Sequence, residues 1–183
     1  MKQGLLSLLT ITMVLTIGQF ASADVRIKNF RLIPFFFENA TGVSRFHPEI
    51  EEYYNSFFTK FPKYGNLEEL KVDYIFSNVS YSSFVCKRMI EQDAKLASSQ
   101  RRGHKLFDFD KSVRSQTDAA WNESFDYYSS IFWFIEPSRQ DADDFLELAG
   151  SLKGTFSDTK GSNAPTLMAL CSLVASSFNA TLD

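Results

Sequence analysis

The chain is poor in the residues from which enzymes build recognisable sites. Its 183 residues include two histidines and two cysteines, and they contain no G-x-S-x-G, H-E-x-x-H, glycine-rich phosphate loop or calcium-loop spacing. Neither His47 nor His104 has a partner at a meaningful spacing, and His47 precedes a proline at a predicted helix start. The sequence therefore predicts no catalytic residue, no metal site and no cofactor, and we expect that the protein is not an enzyme.

Excess charge of one sign is also missing. With 19 Lys and Arg against 22 Asp and Glu, the formal net charge is −3. Such a balance gives no general reason to bind nucleic acid or an anionic membrane. The single basic cluster consists of Arg101, Arg102, His104 and Lys105, and we predict that it forms a loop. Its interpretations are a dibasic processing site, a patch that binds sulfated glycans, or a loop that is merely solvated.

The first 23 residues are typical of a secretory signal peptide. A short positive start precedes an uncharged apolar run over residues 5–20, and small residues follow at 21–23. The run of about 16 residues is shorter than the ~20 that a membrane-spanning helix needs. We predict cleavage after Ala23, so that residues 24–183 form one secreted, extracellular domain without a further membrane span.

Four of the eight asparagines begin an Asn-x-Ser/Thr triplet without proline at x: Asn39, Asn78, Asn122 and Asn179. In a secreted protein such a triplet marks an acceptor for an N-glycan at the surface. We therefore predict N-glycosylation at these positions. Asn122 shares one face of a predicted helix with Asp118 and Asp126, which would direct its glycan to water.

The two cysteines, Cys86 and Cys171, both follow the predicted cleavage site. In an oxidising compartment two cysteines pair by default, so we predict a disulfide between them. The alternative is a pair of buried thiols that act as small apolar side chains.

The start of the predicted mature chain lacks a clean apolar period. Residues 25–37 are apolar and aromatic with Pro34 in their midst, so we predict an extended segment or edge strand, followed by a turn over residues 39–42. Phe35, Phe36 and Phe37 cannot all face one side of such a segment. They are therefore the candidates for contact with a partner or ligand.

From Pro48 onward the apolar residues recur at helical spacing. The predicted helices run from Pro48 to Phe61, from Asn66 through Tyr74, from Tyr81 to Leu96, from Val113 to Ile135, from Ala142 to Leu152 and from Pro165 to Phe178. A break is expected around Asn78, and Gly150 and Gly154 are expected to close the fifth helix. The pattern predicts an all-α, single-domain bundle of five or six helices with an irregular or extended N-terminal segment.

The unusual feature of the composition is its 19 phenylalanines, with aromatics at 15% of the chain. We predict extracellular protein–protein interaction as the function, in the manner of a ligand or effector, and an aromatic cluster at the surface would favour it. The alternative is a carrier of small apolar ligands, which needs an enclosed cavity above ~300 Å³. A weaker alternative is a hydrolase, which needs a histidine–carboxylate pair or convergent carboxylates in a cleft.

Overall fold

A computed structural model describes residues 32–58, 72–133, 135–155 and 163–177, and these residues form six α-helices and no strand. The helices are α1 (Ile33–Thr41), α2 (Pro48–Phe58), α3 (Val72–Ala94), α4 (Asp118–Phe132), α5 (Arg139–Thr155) and α6 (Asn163–Ser176). Two 3₁₀ turns, Ser98–Gln100 and Val113–Ser115, lie between α3 and α4. The predicted all-α bundle is confirmed. The predicted signal peptide, residues 24–31, the first part of the helix predicted from Asn66 through Tyr74, and Asn179 lie outside the described residues.

The prediction of extended structure is wrong for residues 33–37, which form the first part of α1. Pro34 lies in the first turn, where its missing N–H costs no helical hydrogen bond. Ile33, Phe37 and Thr41 follow at intervals of four and are buried along one face. Gly42 ends the helix in the left-handed conformation (φ 68°), and its N–H donates to the Glu38 carbonyl at 2.8 Å. The predicted turn over residues 39–42 is thus the last turn and cap of a helix.

The break expected around Asn78 is also wrong, because α3 runs unbroken from Val72 to Ala94. Serine and asparagine favour caps and turns, since their side chains compete for backbone groups. Here Ser82 donates to the Asn78 carbonyl at 2.7 Å, which leaves the helical backbone in place. Tyr81, Val85 and Met89 are buried to within 2% exposure on the same helix. Their burial outweighs the local preference.

The start of α4 lies later than the apolar stripe suggests. Val113 begins a 3₁₀ turn, and the α-helix starts at Asp118. Thr117 caps it, because the threonine hydroxyl accepts a hydrogen bond from the Ala120 N–H at 3.2 Å. Ile135, at the predicted end of the stripe, lies beyond the helix and is 59% exposed.

The glycines expected to close α5 lie inside it. The helix continues through Gly150 and Gly154 to Thr155. A Cβ added at Gly150 would meet no atom within 4 Å, so this glycine serves no close approach. Its cost of about 1 kcal/mol relative to alanine is small beside the burial of Phe145 and Ala149 along the same helix.

The core forms around α3, α4 and α6. The most extensive helix–helix contact joins α3 to α6, and the disulfide between Cys86 and Cys171 crosses it with a Cα–Cα distance of 5.9 Å. The predicted disulfide is confirmed. The last helix is apolar on most faces, as predicted, and Leu167 and Leu170 are fully buried. In the described part of the chain, no helix is long and apolar enough to cross a membrane.

Aromatic side chains from several elements fill this core. Ring pairs lie at 4.7 Å between Phe107 and Trp121 and at 5.1 Å between Phe125 and Phe145. Tyr128 is fully buried on the same helix as Trp121 and Phe125. Most of the unusual aromatic content in the described residues therefore serves packing, and the exposed rings stand out against it.

Candidate functional site

Helix α1 distributes the three consecutive phenylalanines over different environments. Phe37 is 2% exposed, and its ring centroid lies 5.5 Å from those of Tyr81 and Phe132. Phe36 is partly buried beside it, with ring centroids 5.4 Å apart. Phe35 remains 48% exposed. Of the three candidates for partner contact, Phe35 is the most exposed.

Phe35 belongs to a surface cluster with Arg45 and Phe46, which we call the aromatic–arginine patch. The Arg45 guanidinium carbon lies 3.8 Å from the Phe35 ring centroid and 4.6 Å from that of Phe46. Phe46 is 64% exposed. The same guanidinium forms an ion pair with Glu38 Oε2 at 2.8 Å. The backbone N–H of Arg45 donates to Glu38 Oε1 at 3.4 Å. One arginine thus contacts two exposed rings and is itself held by an acid on α1.

The patch stabilises the fold little but orients its rings. A partly exposed ion pair contributes at most about 1 kcal/mol, and an exposed cation–π contact about 0.5–1 kcal/mol. The restraint on Arg45 nevertheless keeps both rings beside a fixed positive charge. Sequence reasoning missed Arg45 and Phe46, because they follow Gly42 in a turn and share no helical period with Phe35.

The arginines of the predicted basic loop donate hydrogen bonds to backbone carbonyls of the protein itself. Arg101 donates to the carbonyls of Leu96, His104 and Phe107 at 3.0, 3.3 and 2.5 Å. Arg102 donates to the Thr41 carbonyl at 2.5 Å and so joins the loop to the end of α1. These contacts weaken both functional interpretations. A processing enzyme or a sulfated glycan would have to compete with carbonyls that already hold the guanidinium groups.

The remaining members of the basic cluster have opposite fates. Lys105 is exposed, whereas His104 is fully buried. His104 Nδ1 lies 2.8 Å from Asp93 Oδ2, and its Nε2 lies 2.7 Å from the Tyr128 hydroxyl. His104 thus has two partners in the structure, although neither lies at a spacing that a sequence motif would reveal. Its partners lie 11 and 24 residues away, on α3 and α4, so no local spacing could have revealed them.

Asp93 is the centre of this buried network. Its carboxylate also accepts the backbone N–H groups of Arg102 and Gly103, at 3.3 and 3.2 Å. Burial raises the pKa of this carboxyl, but the hydrogen bonds from His104 and from the two backbone amides outweigh burial and hold the pKa below its usual value. The site therefore favours an ionised Asp93 that fastens the loop to the end of α3.

The pKa values of Tyr128 and the neighbouring Tyr127 are raised, whereas that of Asp93 is lowered. Burial, with the nearby Asp93 charge, raises the pKa of the Tyr128 hydroxyl well above its usual range and raises that of Tyr127 as well. Tyr128 therefore stays protonated. Chemically, a carboxylate, an imidazole and a hydroxyl in a row resemble a proton relay. Here Asp93 is 2% exposed and the other two groups are fully buried, so no substrate atom reaches them in this conformation.

The glycine beside His104 is required by close packing. A Cβ added at Gly103 would collide with the ring of Tyr127. The loop backbone thus lies directly against α4, where the neighbouring His104 meets Tyr128. Together these contacts make residues 101–107 a structural clamp between α1, α3 and α4.

The predicted glycan acceptors also differ in accessibility. Asn39 is exposed in the last turn of α1, and Asn122 is partly exposed between the exposed Asp118 and Asp126 on α4. Asn78 is 4% exposed in the interior of α3. A glycan on Asn78 would have to displace this packing, which favours Asn39 and Asn122 as acceptors, and the sequence triplet alone carries no information about burial.

Surface grooves lie between helices in the described part of the chain. A groove of about 480 Å³ lies between α3 and α6, and its walls are mostly apolar: Val79, Ser83, Phe84, Lys87, Met168, Ala169, Ser172 and Leu173. A second groove of about 210 Å³ lies on the other side of Leu173, between α5 and α6. Leu173 is 48% exposed between them. In this part of the chain, no group of three or more His, Cys, Asp or Glu is arranged to hold a metal ion.

No family model, no curated protein and no solved structure matches the chain.

Proposed function

We propose that this chain is exported by its N-terminal signal and acts outside the cell as a protein-binding ligand or effector, using the aromatic–arginine patch. Support for export comes from the signal-like first 23 residues and from the disulfide, which persists in oxidising compartments. The observation that carries the binding role is the exposed pair of rings, Phe35 and Phe46, on either side of Arg45.

The chemistry of the patch suits a protein interface. Aromatic residues and arginine are enriched in interface cores, and arginine is among the residues that dominate binding energy. Burying an exposed phenylalanine ring contributes about 1.5–3 kcal/mol. Because Arg45 is already held by Glu38 and by two rings, little side-chain freedom remains to be lost on binding.

A carrier of small apolar ligands is the second candidate, and the groove between α3 and α6 favours it. Its volume of about 480 Å³ falls in the range of small-molecule sites. Such sites bury most of the ligand surface, whereas this groove is open along one side. A comparison of native and denatured masses of the deglycosylated protein separates the two candidates. A retained ligand of a few hundred daltons would put the carrier first.

The partner-binding role is tested with the secreted protein on living cells of the source organism. Export predicts that protein made in cultured animal cells appears in the medium with Asp24 as its first residue. Labelled protein is expected to bind the cells of the source organism saturably. We expect the double variant Phe35→Ser, Phe46→Ser to bind at least about tenfold more weakly, because the loss of a single ring contact is already worth more than about 1.4 kcal/mol.

Matched controls are Leu106→Ser and Ile135→Ser, each a 59% exposed apolar residue outside the patch. Both are expected to bind as the unmodified protein does. Equal binding by the patch variant and the controls would refute the role of the patch. A folded circular dichroism spectrum for every variant separates loss of binding from loss of structure.

A further inference from the structure

Asn39 lies one helical turn after Phe35 on the exposed face of α1. Side chains four residues apart on a helix are neighbours, with Cβ atoms about 5–6 Å apart. Each Cα–Cβ bond in a helix tilts toward the N-terminus, so the Asn39 side chain is directed toward Phe35. A group attached to the Asn39 amide nitrogen therefore begins beside an exposed ring.

Arg45 lies on the other flank of that ring. Its guanidinium contacts Phe35 and pairs with Glu38, which is three residues after Phe35. With 3.6 residues per turn, positions three and four residues further along a helix fall on opposite sides of the first residue. Arg45 thus braces the side of Phe35 nearest Glu38, and Asn39 lies at the opposite side.

We propose that an N-glycan on Asn39 packs its first N-acetylglucosamine against Phe35 and thereby covers part of the aromatic–arginine patch. The C–H bonds on the face of this sugar are polarised by neighbouring oxygens, and the face of an aromatic ring carries negative charge that attracts them. The glycan would leave Phe46 and Arg45 as the accessible part of the patch. Glycan occupancy then regulates how much surface is offered to a partner.

The second accessible acceptor provides an internal contrast. One turn before and one turn after Asn122 lie the exposed acids Asp118 and Asp126. A glycan there begins beside carboxylates, and the aromatic side chain three residues away, Phe125, is buried. The two sites therefore differ in whether an exposed aromatic ring lies one helical turn from the acceptor asparagine, which is what the proposal requires.

The inference rests on the export part of the proposed function, because N-glycans are added to chains that enter the secretory pathway. The test is a double-mutant cycle on secreted protein, read as the midpoint of thermal unfolding. We expect Asn39→Gln to lower the midpoint by roughly 2–4 °C, as one ring contact does in a domain of this size. In a Phe35→Ala background the same change is expected to shift the midpoint by less than about 1 °C.

Two controls sharpen the cycle. Enzymatic trimming of every glycan to its first sugar is expected to keep the coupling between Asn39 and Phe35, because that sugar makes the contact. Asn122→Gln is expected to give the same shift with and without Phe35→Ala. A coupling that disappears on trimming would overturn the assignment to the first sugar.

The outcomes separate this inference from the proposed function. Peptide mapping by mass spectrometry is expected to find the glycan on Asn39. An unmodified Asn39 in secreted protein, or an occupied Asn39 whose removal gives equal shifts in both backgrounds, would overturn the inference and leave export and partner binding standing. Failure of the chain to be secreted would overturn both.

Discussion

Replacing Asp93 by alanine removes the carboxylate that holds the 101–107 clamp to the end of α3. Three hydrogen bonds are lost: from His104 Nδ1 at 2.8 Å and from the backbone N–H groups of Arg102 and Gly103 at 3.3 and 3.2 Å. Each donor left unpaired in a buried site costs about 1–3 kcal/mol. Allowing for relaxation of the loop, we expect Asp93→Ala to lower the free energy of unfolding by about 3–5 kcal/mol.

Urea unfolding of the disulfide-intact protein measures this loss. The midpoint is expected to fall while the slope stays unchanged, since the surface exposed on unfolding is the same. Asp126→Ala, which removes an exposed acid from α4, is the matched control and should change stability by less than about 0.5 kcal/mol. A loss below about 1 kcal/mol for Asp93→Ala would refute the clamp.

The stability difference between the unmodified protein and Asp93→Ala is expected to depend on pH. The folded state holds the pKa of Asp93 below its unfolded value, so its contribution is fully present above the unfolded pKa of about 3.9 and is lost as pH falls through the folded pKa. The stability gap between the unmodified protein and Asp93→Ala should therefore narrow as the pH is lowered from 5 toward 2. A gap of constant size across this range would contradict an ionised Asp93 in the folded state.

Two further predictions concern the backbone and the disulfide. Gly103→Ala should lower the free energy of unfolding by about 1–3 kcal/mol, because the new methyl group meets the ring of Tyr127. Gly150→Ala should raise it by up to about 1 kcal/mol, because its methyl group enters open space. Urea unfolding measures both, and equal effects would contradict the close contact between Gly103 and Tyr127. Replacing Cys86 and Cys171 together by alanine should cost about 4–5 kcal/mol, since their separation of 85 residues defines a long loop in the unfolded chain. A loss below about 1 kcal/mol would show that the unfolded chain is not constrained in this way.

Features that depend on residues close together in the chain were predictable. The apolar spacing predicted α2, α4, α5 and α6 with errors confined to their ends, because each buries one stripe against the bundle. The disulfide was predictable because only Cys86 and Cys171 are present. The sequence also predicts an export signal and glycan acceptors.

Features that depend on what packs against a segment were not predictable. The sequence around Pro34 predicted an interruption, but Pro34 lies in the first turn of a helix that buries one face. The sequence around Asn78 predicted a break, but the neighbours of Asn78 on α3 are buried in the core. Pro34 costs the helix little because it lies in the first turn, where its missing N–H breaks no helical hydrogen bond. Asn78 disfavours a helix by about 1 kcal/mol or less, and the burial of large side chains on α3 contributes more.

The sites depend most on tertiary structure. His104 meets Asp93 and Tyr128 only because the loop folds back between α3 and α4, and Arg45 reaches Phe35 only because Gly42 turns the chain at the end of α1. The sequence by itself determined the helical character of α2, α4, α5 and α6 and which cysteines pair, because local periodicity and a single possible pairing carry that information. Only the tertiary structure decided which charged and aromatic side chains are buried together and which remain at the surface, because burial depends on neighbours distant in the chain.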